Sequence, residues 1–361
     1  MLLITHGCNL NCSYCYEEKN TLESITVKKA KQYLKEQIFC IENEYDSFEV
    51  QFMGGEPLLK FSLIKELSEW LWSTEWPKQL LTIYIPTNGT LLNKTRKEWF
   101  STNRERICLG LSFDGNLTMQ DKNRSCSSKK IDLNFFASTW PEQSVKLTIS
   151  PDTINSLSDG VLFLNKYGFS HISADLAMGG NIKWNSGHLF AFRNQIRIIS
   201  NNIQKGTLPE TVFSMLSLPI LSMKTICKEY SGKQCNCGES LICVDIDGKV
   251  YPCHLFTPLS AGKHNSIEEI FDVDFADHSL FNLGKCKDCL INAICNNHCY
   301  GMNYKTYGSL SNSSLFHCQA FKLLFIENCL LQYKLAEKKD NDFIKNNILE
   351  IINSIKYNHV K

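Results

Sequence analysis

The sequence has no long apolar run. None reaches the ~18 residues that a membrane-spanning helix needs, and the apolar stretch Met1–Thr5 is too short for an export signal and leads straight into Cys8. It also lacks an excess of charge of either sign. Lysine and arginine number 38 against 37 aspartates and glutamates, a formal net charge of +1, which gives neither nucleic acid nor a membrane surface an electrostatic handle. No internal repeat or low-complexity segment is present. What remains is a chain of 361 residues, 43% hydrophobic and 21% charged, ordinary for one large globular domain or two. A cytoplasmic location is expected, with no nucleic-acid and no membrane partner.

Cysteine is where the composition departs from the ordinary, with 17 residues. In a reducing compartment such a set reads as metal ligands before disulfides, and an odd number agrees with that. Cys40, Cys108, Cys126 and Cys329 are scattered and suit small buried hydrophobes. The others cluster at short spacings.

Strand and helix signals alternate through roughly the first 180 residues. Strands are expected at Leu2–Thr5, Phe48–Met53, Leu81–Thr87, Ile107–Phe113, Val145–Ile149 and Ile172–Leu176. Helices are expected over Thr26–Glu42, with Thr26 as N-cap, Phe61–Trp72, Lys94–Phe100, Asn155–Tyr167 and His188–Asn202. Six such units joined by right-handed crossovers give an α/β fold, a partial (β/α)6 TIM-like barrel, with ligands at the carboxyl ends of the strands. After Gly206 the alternation stops and cysteine density rises. The expected organisation is a barrel over 1–205, a linker over 206–226, a smaller cysteine-rich domain over 227–320 and a helical tail over 321–361.

The first cysteine group, Cys8, Cys12 and Cys15, has C-x3-C-x2-C spacing on the loop after the first strand. A [4Fe–4S] cube takes four thiolates, so three leave one iron open, as a catalytic metal site leaves a position for substrate. A zinc knuckle completed by His6 is the alternative. One βα unit later comes Gly54-Gly55-Glu56-Pro57, where glycines admit close approach of the backbone and a carboxylate offers charge-assisted bonds. Together these resemble the signature of the radical S-adenosylmethionine (SAM) superfamily. The resemblance implies that the triad binds a cluster that cleaves SAM and that Gly54, Gly55, Glu56 and Pro57 receive the methionine ammonium. It also places Tyr14 by the adenine, and Thr87, Asn88 and Ser112 by the ribose and carboxylate. Asp114, Asp121 and Arg124 fit the same pattern, with structural roles expected.

A second group is Cys286-x2-Cys289-x5-Cys295-x3-Cys299, followed by Cys318. Upstream lie Cys227, Cys235 and Cys237, then a hairpin turn at Asp247-Gly248 that delivers Cys253. This half resembles the SPASM domain of radical enzymes that modify peptides and proteins. The resemblance implies two auxiliary [4Fe–4S] clusters, hence three in all. One takes Cys286, Cys289, Cys295 and Cys318; the other takes Cys253, Cys299 and two of Cys227, Cys235 and Cys237. A pair of structural zinc ribbons is the alternative.

The same resemblance implies a peptide or protein substrate, with a reductant such as flavodoxin or ferredoxin. The expected reaction is hydrogen abstraction from a ribosomally made peptide and an oxidative modification, such as a carbon–carbon or thioether crosslink. The alternative is an anaerobic sulfatase-maturing enzyme that forms formylglycine. In those enzymes an aspartate after the Tyr-Pro-Cys cysteine acts as base, and here that position is His254, the candidate catalytic residue. Little chain precedes Cys8, so leader recognition is expected to fall to a separate protein or to the core surface. An alternative of another class is a non-catalytic iron–sulfur or zinc-binding scaffold.

Overall fold

The computed structural model of the chain describes residues 1–18, 23–41, 44–179, 181–217, 235–261, 270–277, 284–287, 289, 291–292, 295, 299–312 and 314–358. Four strands, β1 (Leu2–Thr5), β2 (Ser47–Gly54), β3 (Gln79–Thr87) and β4 (Ile107–Leu111), pair in parallel in the order β4-β3-β2-β1. A second parallel pair, β5 (Val145–Ile149) and β6 (Ile172–Leu176), runs in register from Val145 opposite Ile172 to Ile149 opposite Leu176. A bridge between Ser112 and Lys146, with the Phe113 N–H on the Lys146 carbonyl at 2.8 Å, carries the wall from β4 to β5. Six parallel strands thus follow chain order around an open barrel, as the alternation predicts.

The strands form because they are buried, and every side chain of β1 is buried. Helices cover the outer face: α1 (Val27–Phe39), α2 (Phe61–Ser73), α3 (Lys94–Thr102), α4 (Leu117–Asn123), α5 (Leu133–Thr139), α6 (Leu157–Lys166) and α7 (Ser186–Gln204). Several start on a side-chain cap that satisfies an otherwise orphaned N–H. Thr26, Asn93, Asn116, Asp132 and Asn185 do so for α1, α3, α4, α5 and α7. Between the layers lies one core that includes Phe52, Leu67, Ile85, Phe113, Ile149 and Phe192.

The cysteine-rich half joins this wall directly. A short antiparallel hairpin, β7 (Cys243–Val244) and β8 (Val250–Tyr251), turns at Asp247-Gly248, with Gly248 at φ +94°. Its first strand pairs in parallel with β1, Val244 opposite Leu2, and so extends the barrel sheet. Among the described residues three helices longer than one turn follow: α8 (Tyr300–Tyr307), α9 (Leu315–Lys338) and α10 (Asp342–Asn358). The long α9 runs unbroken from Cys318 into the tail and docks along α7, where the buried Glu327 carboxylate takes Arg193 and Arg197, each at 2.9 Å. Among the described residues no helix is long and apolar enough to cross a membrane.

Candidate active site

A cavity of about 680 Å3 opens at the carboxyl ends of the barrel strands. Cys8, Cys12 and Cys15 line it, together with Tyr14, Gly54, Gly55, Glu56, Thr87, Asn88 and Ser112. The sequence motifs of the first half therefore meet in one place, apart from Pro57, which is buried in the turn behind Glu56.

The triad loop is clasped from two sides. On one, Gly55 N–H reaches the Thr5 carbonyl at 3.2 Å and Glu56 N–H the Gly7 carbonyl at 2.8 Å. A Cβ on Gly54 would lie 2.2 Å from the Thr5 oxygen, and one on Gly55 would lie 2.5 Å from the Gly7 oxygen, so only glycine permits this approach. On the other side, Ser13 N–H bonds the Asn123 carbonyl and Asn11 N–H bonds Ser125 Oγ, both at 2.9 Å.

Beneath the loop, Tyr14 donates its hydroxyl to Asp114 Oδ2 at 2.5 Å. Asp114 is fully buried and also takes Asn123 Nδ2, the Thr148 N–H and, at 3.1 Å, the Arg124 guanidinium. Burial raises the Tyr14 pKa well above the usual phenol value, so the hydroxyl stays a donor. For Arg124 burial opposes the charge, but the Asp114 carboxylate outweighs it and raises the pKa. Arg124 lies over the Tyr14 ring at 5.4 Å and also lines the cavity, a place that its residue type alone does not reveal.

Glu56 is 1% exposed, and its carboxylate accepts the Leu58 N–H, the Thr87 hydroxyl and the Asn88 N–H at 2.7–3.1 Å. Burial raises its pKa, and these bonds oppose the shift. The carboxylate thus ties the β2 turn to the end of β3. Asn88 Nδ2 in turn holds Asn9 Oδ1 in the triad loop at 2.9 Å.

The cavity's far wall comes from the cysteine-rich half and includes Leu255, Cys299, Met302 and His317. Cys299 stands within electrostatic reach of Cys253 and Cys235; burial is the main cause that pushes its thiol up to about 12. Cys253 shares a hydrogen bond with Cys237, which lowers its pKa against the effect of burial. Cys235, Cys237, Cys253 and Cys299 therefore share one neighbourhood, whereas Cys227 lies outside the described residues. Cys243, which belongs to no spacing motif, is buried with Leu3 and Leu259 and acts as a small hydrophobe. Cys286 ends a short 3-10 helix (Gly284–Cys286), and Cys318 lies on the first turn of α9.

His254 does not line the cavity. Its Nε2 meets the hydroxyl of Tyr16, which does, at 3.1 Å. Burial pushes the imidazole down to about 4.

Cys8, Cys12 and Cys15 are half-buried thiols with a glycine cradle beside them, and so supply the donors that an iron–sulfur cluster with one open position requires. Among the described residues no three side chains already close on a single metal-sized point, so the fit rests on donor type, spacing and the shared cavity.

A 4Fe-4S single cluster domain model matches residues 1–131. The chain is 21% identical over 373 residues to the radical SAM cyclopropyl synthase TigE of Paramaledivibacter caminithermalis, covering 94% of this chain and 76% of that protein. It is 22% identical over 358 residues to the cysteine-type anaerobic sulfatase-maturating enzyme of Clostridium novyi, covering 89% and 92%. Among solved structures, anSMEcpe with bound AdoMet and the Cp18Cys peptide superposes with a TM-score of 0.68 at 19% identity, over 96% of this chain and 98% of that one. The chain is thus similar along nearly its whole length to a radical SAM cyclopropyl synthase and to an anaerobic sulfatase-maturating enzyme, and it shares the fold of the latter class.

Proposed function

We propose that the protein removes a hydrogen atom from a residue of a ribosomally made peptide and installs an oxidative crosslink, carbon–carbon or thioether. The observation that carries this reading is the composition of one cavity: the triad and its glycine turn form one wall, and Cys299 with Leu255 and Met302 of the cysteine-rich half forms the other. The name of one relative, a sulfatase-maturating enzyme, supports a peptide or protein target.

Cys8, Cys12 and Cys15 would hold the first cluster. Cys253 and Cys299, with Cys235 and Cys237 beside them, would hold one auxiliary cluster; Cys286, Cys289, Cys295 and Cys318 would hold the other. When bound, the clusters and SAM supply one-electron cleavage of a carbon–sulfur bond, hydrogen-atom abstraction and an acceptor for the second electron. The chain's own residues orient and shield. Asp114 fixes the Tyr14 ring and Arg124, Glu56 fixes the β2 turn against β3, and Met302, Phe321 and Leu324 exclude water from the far wall.

A second reading, formylglycine formation, draws on the near full-length similarity to the Clostridium novyi enzyme. Against it, His254 after Tyr251-Pro252-Cys253 lies behind Tyr16 instead of in the cavity.

The test is anaerobic reconstitution, then reduction by dithionite or flavodoxin, then mass spectrometry of short peptides encoded beside the enzyme and co-expressed with it. About twelve irons per chain, release of 5′-deoxyadenosine and loss of two hydrogens from a peptide are expected. Exchange of sulfur for oxygen together with loss of two hydrogens at a cysteine selects the second reading. Zinc without sulfide, or unchanged mass in every neighbouring peptide, overturns the proposal.

A further inference from the structure

Two hydrogen-bond acceptors at the end of β6 are left over from this account. Along β5 and β6 the side chains of Lys146, Thr148, Ser173 and Asp175 face the cavity, where a packed barrel would place branched apolar residues. Lys146 donates its ammonium to Ser173 Oγ at 2.9 Å, and the other cavity cation, Arg124, is paired with Asp114. Asp175 is exposed to the cavity, and among the described residues no ion pair or hydrogen bond holds its carboxylate.

The second acceptor is His317, only 8% exposed, on the first turn of α9. Its Nε2 reaches the Ala177 carbonyl at 3.2 Å, and Trp184 Nε1 donates to the same oxygen at 2.9 Å. A carbonyl can only accept, so in the neutral ring Nε2 carries the proton and Nδ1 is left as the lone-pair nitrogen. Trp184 and Phe316 hold the ring edge-on, at 6.2 and 5.7 Å. Nδ1 is buried, and among the described residues it has no hydrogen-bond partner. A buried acceptor left unmade costs about 1–3 kcal/mol, which marks a place where a donor belongs. Asp175 lies two residues before Ala177 on the same strand end, a separation of about 7 Å along an extended chain.

We propose that Asp175 and His317 form a subsite for a basic side chain, lysine or arginine, of the peptide substrate, next to the residue that is modified. The inference rests on the peptide-substrate reading above. An uncompensated carboxylate calls for a cation, and a neutral acceptor beside it calls for a further N–H. Met178, Phe321 and Leu324, which line the same cavity, suit the aliphatic stem that both basic side chains carry.

The test uses the full chain reconstituted with iron and sulfide and saturated with SAM. Fluorescently tagged peptides Gly-Gly-X-Gly-Gly, with X as lysine, arginine, norleucine or glutamate, are titrated by anisotropy. The lysine or arginine peptide is expected to bind about tenfold more tightly than the norleucine one. Asp175→Asn removes that preference and His317→Phe reduces it, while SAM affinity stays unchanged in both. Equal binding across the series in the wild type, absence of binding included, overturns the proposal. A tenfold loss of SAM affinity in Asp175→Asn also overturns it and assigns the carboxylate to the ribose hydroxyls. Release of 5′-deoxyadenosine from the same preparations reads the proposed function separately: release with a flat peptide series rejects the subsite alone.

Discussion

A methyl group at Gly55 would meet the Gly7 carbonyl oxygen at 2.5 Å and the Cys8 Cβ at 3.0 Å. Both contacts lie on the triad loop, so Gly55→Ala pushes on that loop and on little else. The expected result is a folded protein with unchanged far-ultraviolet dichroism that loses the iron of the cluster proposed for the triad, about four atoms per chain, and with it SAM binding. Unchanged iron content would show that the loop absorbs the methyl by shifting, at the ~1–3 kcal/mol typical of overpacking. The motif around Gly55 is legible in the sequence, but part of its physical reason is not. Spacing suggests glycines that let the backbone approach a ligand; the structure shows that they first let the backbone approach Thr5 and Gly7. Glu56 is similar, because its carboxylate already serves three internal donors. The partners of such residues lie on other βα units, and no local pattern encodes them.

Long periodic elements are the most legible part of the fold. β5 and β6 occur with the bounds read from the sequence, and α1, α2, α3, α6 and α7 depart from theirs by a few residues at the ends. α4 and α5 carry no such signal, because seven residues complete barely two turns and cannot display a 3.6-residue period. Their marks are the caps alone. Asp132 accepts the Phe135 N–H at 3.1 Å and takes Lys97 Nζ at 2.6 Å. The hydrogen bond from Lys97 is the largest of the effects that lower the Asp132 pKa. A carboxylate whose folded pKa is lowered contributes stability above its unfolded pKa of about 3.9 and loses it as pH falls through the folded value. The Asp132 side chain is 44% exposed, so solvent screens the ion pair and the cap dominates. Asp132→Ala is therefore expected to cost about 1 kcal/mol at pH 7. In paired thermal melts the difference from wild type should shrink below pH ~4; a difference that persists there would assign the effect to packing.

At the scale of the molecule, the join between the two halves is what the sequence conceals. The hairpin is legible in its Asp247-Gly248 turn, but the partner of its two-residue first strand is not: Val244 N–H bonds the Met1 carbonyl at 2.9 Å, and β7 continues the barrel sheet into the cysteine-rich half. Tyr33 of α1 adds its hydroxyl to the Asp247 carbonyl at 2.9 Å, at the hairpin turn. The strongest link is His6 Nε2 to Asp245 Oδ1 at 2.6 Å, with side chains 12% and 3% exposed. Burial opposes a charged His6, but the hydrogen bond and charge of Asp245 prevail and raise its pKa. His6 stands two residues before Cys8, and Asp245 sits in the hairpin that delivers Cys253, so one bond ties the loop of the cysteine triad to the proposed auxiliary ligand. Breaking it should loosen both ends together. Losing a charged hydrogen bond costs about 1.5–3 kcal/mol, which corresponds to opening at least tenfold more frequent. In Asp245→Ala, amide exchange is expected to accelerate tenfold or more at the His6 N–H, held by Glu23, and at the Gly248 N–H, held by the residue 245 carbonyl. The amides of β3 and β4 should keep their protection. Acceleration confined to the hairpin would mean that the Glu23 carbonyl and the Asn123–Ser125 clasp hold the triad loop unaided, and that the two halves of the site are positioned independently.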